Sequence, residues 1–176
     1  GAVSLISDYA NLSGGGVIGS VSMYNNTMIG NGAYAGYWSH NGTHYGDLLM
    51  KNNIIRGSGR YDVLMSAINA GSTLAFDKNL YDAEISGYAP IRVNFTNYQA
   101  ANLAAWNGLS FVGDDAMSDP LFVSATDYHL TADSPAVDAG AAISGVTCDR
   151  EHRAVPFGAA PDIGAYEYRQ KTCGVR

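Results

Sequence analysis

The stretch VSMYNNTMIGNG, Val21 to Gly32, returns as LLMKNNIIRGSG from Leu48 and, more loosely, as TLAFDKNLYDAE from Thr73. With Asn26, Asn53 and Asn79 superposed, the copies stand 27 and then 26 residues apart. A fixed period in this range, with one polar residue at a fixed place, marks stacked supersecondary units that share a core. Before each Asn two apolar residues alternate with other side chains: Val21 and Met23, Leu48 and Met50, Leu74 and Phe76. Period two puts each pair on one face of a strand. Stacking the copies sets apolar on apolar, as parallel strands require. Where the chain bends between two strands, backbone groups point inward without ladder partners. An Asn there carries donors and an acceptor that satisfy them, and it can bond to the Asn one copy away. Met28, Ile55 and Tyr81 then resume the apolar column, followed by glycine turns at Gly30-Asn-Gly and Gly57-Ser-Gly. The repeats predict an all-β chain wound as a parallel β-helix, a solenoid.

Composition agrees. Of 176 residues 21 are Gly and 12 Tyr, and only 15% are charged, which suits a turn-rich β protein. The formal charge is −6, and five of the ten Lys and Arg lie at or beyond Arg150, so the body is more acidic than the whole. No basic cluster offers a footprint for nucleic acid. No apolar run approaches the roughly 18 residues of a membrane span, so no membrane insertion is expected. The opening GAVSLISDYANLSGGG has neither a basic n-region nor an apolar h-region. The chain is then cytosolic, already processed, or a piece of something longer. Cys148 and Cys173 both fall in the C-terminal tail, as a disulfide or as two thiols.

The layout expected is one domain, residues 1–176. Coils occupy 1–95, a short helix 96–108, and the final coils with a closing segment 109–176. Between the first two coils AYAGYWSHNGTHYGD, residues 33–47, reads as an inserted aromatic loop. The helix is expected to open with Thr96 as N-cap and Gln99 completing a capping box. Leu103 and Trp106 would turn inward, and Gly108 would stop the helix.

The tail reads DPLFVSATDYHLTADSPAVDAG from Asp119 and PDIGAYEY from Pro161. This resembles the C-terminal part of secreted bacterial right-handed parallel β-helix proteins of the pectate-lyase-like superfamily, whose solenoids end in such a segment. The likeness is close over Asp119 to Tyr168 and looser over Val17 to Gly108. It implies a right-handed β-helix, an extracellular or cell-surface location and a polysaccharide partner, with calcium-assisted lyase activity in many members. Within the tail, Asp138 and Asp162 are expected to accept backbone N–H groups in tight turns. His129 reads as a hydrogen-bonded structural residue, and Asp149 to Arg153 as a solvated charged loop.

Two sets of side chains carry candidate chemistry. Outward-facing residues of successive coils stack about 4.8 Å apart, which lines up Tyr24, Lys51 and Asp77, and then Ile29, Arg56 and Asp82 with Glu84 nearby. One reading is two cross-strand ion pairs, Lys51 over Asp77 and Arg56 over Asp82. The other follows from the resemblance. Lys51 would be the base of a β-elimination, Arg56 would steady the substrate carboxylate, and Asp77, Asp82 and Glu84 would hold Ca²⁺. The second set is the aromatic loop. Tyr34, Tyr37, Trp38 and Tyr45 offer flat platforms for sugar rings, with His40 and His44 as hydrogen-bonding groups. The alternative is that these aromatics fold back as local core. The function expected is recognition of an acidic extracellular polysaccharide, with lyase or glycosidase cleavage as its catalytic form. Its rival is a structural or adhesive module that self-associates through open solenoid ends.

Overall fold

The computed structural model describes residues 20–30, 34–44, 47–57, 61–68, 70–82 and 89–169. Eleven strands and one short helix make it mostly β. Each repeat gives one strand to each of three sheets. In the first sheet β1 (Val21–Tyr24), β4 (Leu48–Lys51) and β7 (Leu74–Asp77) lie in that order, parallel and in register from Val21 to Leu48 to Leu74. The second sheet stacks β2 (Thr27–Ile29), β5 (Ile54–Arg56), β8 (Leu80–Tyr81) and β11 (Ala116–Met117), again parallel. The third holds β3 (Tyr34–His44), β6 (Tyr61–Ile68) and β9 (Ile91–Val93) in parallel, and β10 (Thr96–Tyr98) closes it antiparallel to β9.

The third sheet corrects the sequence reading. Residues 33–47 were expected as a loop, yet Tyr34–His44 is the longest strand of the protein's described part. Its run of Tyr, Trp and Thr is what a strand favours. Register shifts between Tyr34 and Tyr37 and between Ser39 and Thr43 blur the alternation that would have revealed it. Tyr45 lies outside the described residues.

The bend between first and second sheets is the same in each repeat. Asn25, Asn52 and Lys78 all take left-handed backbone, with φ of 51°, 54° and 56°. Asn tolerates that conformation better than other side chains, which explains the first two. The residue after each points inward and builds a ladder. Asn26 Nδ2 donates to Asn53 Oδ1 at 3.1 Å, and Asn53 Nδ2 donates to Asn79 Oδ1 at 2.9 Å. The second amide hydrogens reach backbone carbonyls, from Asn53 to Met23 and from Asn79 to Met50, both at 2.8 Å.

A fourth rung was not foreseen. Asp115, 36 residues beyond Asn79, accepts that residue's backbone N–H at 2.8 Å and its Nδ2 at 3.1 Å. Its other oxygen accepts Tyr81 OH at 3.1 Å and Trp106 Nε1 at 3.0 Å. An Asn would turn one acceptor into a donor facing the indole N–H, so the convergence of donors selects a carboxylate here. The spacing signal was present, because Asp115-Ala-Met repeats the register of Asn79-Leu-Tyr. The inserted helix stretched the period and hid it.

That insertion covers the end of the stack. The chain is a strand at Thr96–Tyr98, a 3₁₀ turn at Ala100–Asn102 and a helix α1 at Leu103–Asn107. The capping box sits three residues later than expected, with Gln99 as N-cap and Asn102 as its partner. Gly108 is the C-cap, as anticipated. Trp106 is fully buried between Phe76 and Tyr98, at ring distances of 5.3 and 5.2 Å, and seals the core of Met23, Met50, Ile55, Val63 and Met65.

The tail runs back along the flank of the second sheet instead of capping an end. Ile54 and Leu80 point away from the main core, yet they are buried in a second cluster with Leu130, Ala136 and Ile163. Ala165 N donates to Thr27 Oγ1 and Gly164 N to the Asn52 carbonyl, so the last described segment reaches the first repeat. Asn52 completes the seam: its amide exchanges two hydrogen bonds with the backbone of Ala141, at 2.7 and 2.8 Å. A side chain on Gly164 would collide with Ile54 and Thr27.

Asp138 and Asp162 accept backbone N–H groups as expected, from Ala160 and Asp138 respectively. The run from Asp149 to Arg153 differs from a plain solvated loop. Asp149 is buried and accepts the N–H groups of Glu151, Arg153 and Glu167. Arg150, Glu151 and His152 are exposed, and that majority masked it in the sequence. Cys148 is exposed, with no disulfide partner among the described residues, and Cys173 lies outside them.

Removing a middle rung of the ladder tests the frame. Asn53→Ala strands the Met23 carbonyl and the Asn26 N–H and should cost on the order of 3 kcal/mol in urea unfolding. Asn26→Ala, at the half-buried end, should cost about 1 kcal/mol. Losses below about 0.5 kcal/mol at both positions would show that the ladder is not what holds the bend.

Candidate functional site

The three sheets leave unequal outer surfaces. The tail covers the second. The first presents Tyr24, Lys51 and Asp77, half-buried and in register. Lys51 Nζ lies 3.8 Å from Asp77 Oδ2, the cross-strand pair that the repeat predicted. Arg56 and Asp82 form the other predicted pair, Nε to Oδ2 at 2.8 Å, beside the second sheet. Exposed pairs of the first kind contribute roughly 0.2–1 kcal/mol.

The expected calcium set does not assemble among the described residues. Asp77 ends a strand of the first sheet and is taken by Lys51, whereas Asp82 follows a strand of the second and is taken by Arg56. Glu84 lies outside the described residues. No three His, Cys, Asp or Glu side chains among those described form a metal-holding group. The expected base Lys51 and its substrate clamp Arg56 likewise belong to different sheets.

The third sheet gathers aromatics and a cation. Arg92 donates from Nη1 to Tyr61 OH at 3.1 Å, and its guanidinium lies 5.8 Å from the Tyr61 ring and 5.6 Å from that of Phe95. In register, Tyr34 stands beside Tyr61, and Trp38 beside Leu64, whose next neighbour is Arg92. Tyr37, by contrast, stands beside the core residue Val63. His44 is paired with Ile68 at the far end of the strand, and His40 falls within the register shift after Ser39. The sequence reading thus singled out the aromatic stretch, but as a loop, and missed Tyr61, Arg92 and Phe95, which no repeat marks.

Phe95 is the least expected member. With Asn94 it makes the two-residue turn from β9 to β10, both at positive φ, 47° and 66°. Such hairpin turns favour Asn-Gly. Here an aromatic that is 74% exposed occupies the glycine position, at a backbone cost of about 1–2 kcal/mol.

A broad groove of about 970 Å³ opens on the tail, lined by His129, Glu151, Arg153, Tyr168 and Arg169 among others. His129 Nδ1 is 2.5 Å from Asp127 and its Nε2 3.3 Å from Glu151, which Arg153 also holds at 2.6 Å. Partial burial alone would lower the pKa of His129, but the two carboxylates outweigh it and raise it. The histidine is saturated by its own neighbours, as its structural reading anticipated.

The chain matches no protein-family description, no curated protein and no solved structure, so the site is read from its own geometry.

The buried acids give a pH signature. Burial pushes Asp115 and Asp162 up to about 6, and Asp62 well above its ordinary value. A carboxyl raised in the fold stabilises it fully below the unfolded value and loses that contribution as pH climbs through the folded one. For a raised His129 the contribution is likewise present in acid and lost as pH rises through the folded value. All four act in the same direction. Urea unfolding should show stability falling by ~2 kcal/mol or more from pH 4 to pH 7.5, with a shallower slope in Asp115→Asn. A stability that climbs over this interval would contradict the assignment.

Proposed function

We propose that the chain is a right-handed parallel β-helix that works outside the cell or at its surface and binds an acidic polysaccharide. The binding surface is assigned to the Asn94-Phe95 turn with Arg92 and Tyr61 beside it. Three parallel sheets fed in turn by each repeat support the solenoid, and parallel crossovers are right-handed in nearly all proteins. The observation that carries the functional reading is Phe95, an exposed aromatic kept where the backbone favours glycine. Strain held at an exposed side chain points to use of that side chain. Beside it Arg92 offers a cation to a uronate carboxylate, and Tyr61 a second ring edge.

Recognition without cleavage is the form these residues favour. Lys51 and Arg56 each face a carboxylate, on sheets other than the aromatic one. The second reading, self-association through solenoid ends, would use the end formed by β1, β2 and β3. Trp106 and β10 cover the far end, while β1, β2 and β3 each pair on one side only among the described strands.

Phe95→Gly separates binding from folding. The variant should gain about 1 kcal/mol of stability and lose at least tenfold in affinity for pectate or alginate in affinity gels, as should Arg92→Ala. Unchanged mobility of both variants, or no retardation of the parent chain by any acidic polymer, would remove the proposal. With either polymer, with or without calcium, no ultraviolet-absorbing unsaturated product is expected. Its appearance would restore the lyase reading.

A further inference from the structure

Among the described residues, the buried carboxylates are met by donors with one exception. Asp115 accepts from Asn79, Tyr81 and Trp106, Asp149 from three backbone N–H groups, and Glu167 from those of Asp162 and Phe157. Asp162 accepts from Asp138 and Tyr168, and Asp82 is held by Arg56. Asp62 is 1% exposed, and neither of its oxygens has a hydrogen-bond partner. Its backbone is well placed, with its N–H on the Pro90 carbonyl at 2.6 Å, so the segment itself is anchored.

Asp62 is the second residue of β6, close to where the second sheet passes to the third. Arg56 ends β5 there, and Asp82 follows β8 one repeat on, with its N–H on the Ile55 carbonyl. We propose that this corner binds a divalent cation of the calcium class, with Asp62 as its principal ligand and the carboxylate of Asp82, whose Oδ2 is held by Arg56, at its margin.

The chemistry of the orphaned group argues for a cation. A buried, unpaired carboxylate is neutralised by a proton or by a positive ion. Burial, and to a lesser degree the charge of Asp82, push Asp62 toward the protonated state, while the peptide of Gly57 opposes this without a well-formed hydrogen bond. A proton cancels the charge but leaves a hydroxyl donor and a carbonyl acceptor, each still without a partner. A hard cation engages both oxygens at once, and calcium accepts carboxylates together with main-chain carbonyls and water. Arg56 contributes a positive charge at the same corner, so affinity should fall in the weak class, with Kd on the order of 0.1–1 mM. The site differs from the Asp77, Asp82 and Glu84 set, and it stands independently of the polysaccharide reading.

The test uses the whole chain, stripped with EDTA and titrated at pH 7.5. Terbium is the probe, because tyrosine sensitises its emission and Tyr61 adjoins Asp62 in sequence. Saturable emission that calcium displaces is expected, with at least a tenfold weaker response in Asp62→Asn and a smaller loss in Asp82→Asn. Calcium should also raise the Tm of the parent chain and leave that of Asp62→Asn unmoved. Asn matches Asp in shape, and Asp62→Asn should stay folded by circular dichroism. Should it unfold, Asp82→Asn carries the comparison, and full retention of terbium affinity there would overturn the proposal. Equal terbium response in parent and Asp62→Asn would overturn it as well. So would a parent Tm indifferent to calcium, which would assign Asp62 to a buried proton alone.

Discussion

A chain that turns sharply inside its own core must find partners for the backbone groups that the turn exposes. Here one column of side chains meets that demand. Asn26, Asn53 and Asn79 each give one amide hydrogen to the next rung and the other to a backbone carbonyl. Because each rung completes the one before it, the column fixes the vertical register of all three sheets. Asp115 ends it with a different chemistry: it accepts from below and from the aromatic plug, joining the ladder to Trp106. Polar satisfaction and apolar packing meet at that carboxylate.

The ladder also decides what each sheet can do. Once register is fixed, outward residues of successive repeats form rows, and their fate depends on what lies over them. Thr27, Ile54 and Leu80 are buried under the returning tail, which removes that row of the second sheet from solvent. Lys51 and Asp77 neutralise each other on the first. At the edge of the third, Arg92 lies beside Tyr61 and the exposed ring of Phe95.

The repeat made much of this legible. Alternation before the Asn, the Asn itself and the apolar residue two places later gave the strands of two sheets and the ion pairs between them. The third sheet was harder, because bulges in Tyr34–His44 break period two and its glycines resemble loop punctuation. Thr27, Ile54 and Leu80 are apolar or small beside an inward-facing neighbour, a sign of burial on both faces, but nothing local says that a distant C-terminal segment supplies the cover. Asp62 and Arg92 sit outside the repeated dozen residues. Their roles come from a corner and a hairpin that only the assembled fold creates.

The tail has a kinetic meaning too. A stack of repeats touching only nearest neighbours behaves as a one-dimensional array, free to fray or fold one unit at a time. The hydrogen bond from Ala165 to Thr27 joins residues 138 apart in sequence, and Asn52 with Ala141 joins residues 89 apart. Such contacts form late and slow the search, since the chain must close a long loop before they bring any gain. Once made, they tie the first repeat to the last described segment. The described repeats are then linked by contacts beyond their nearest neighbours, which favours unfolding as one unit.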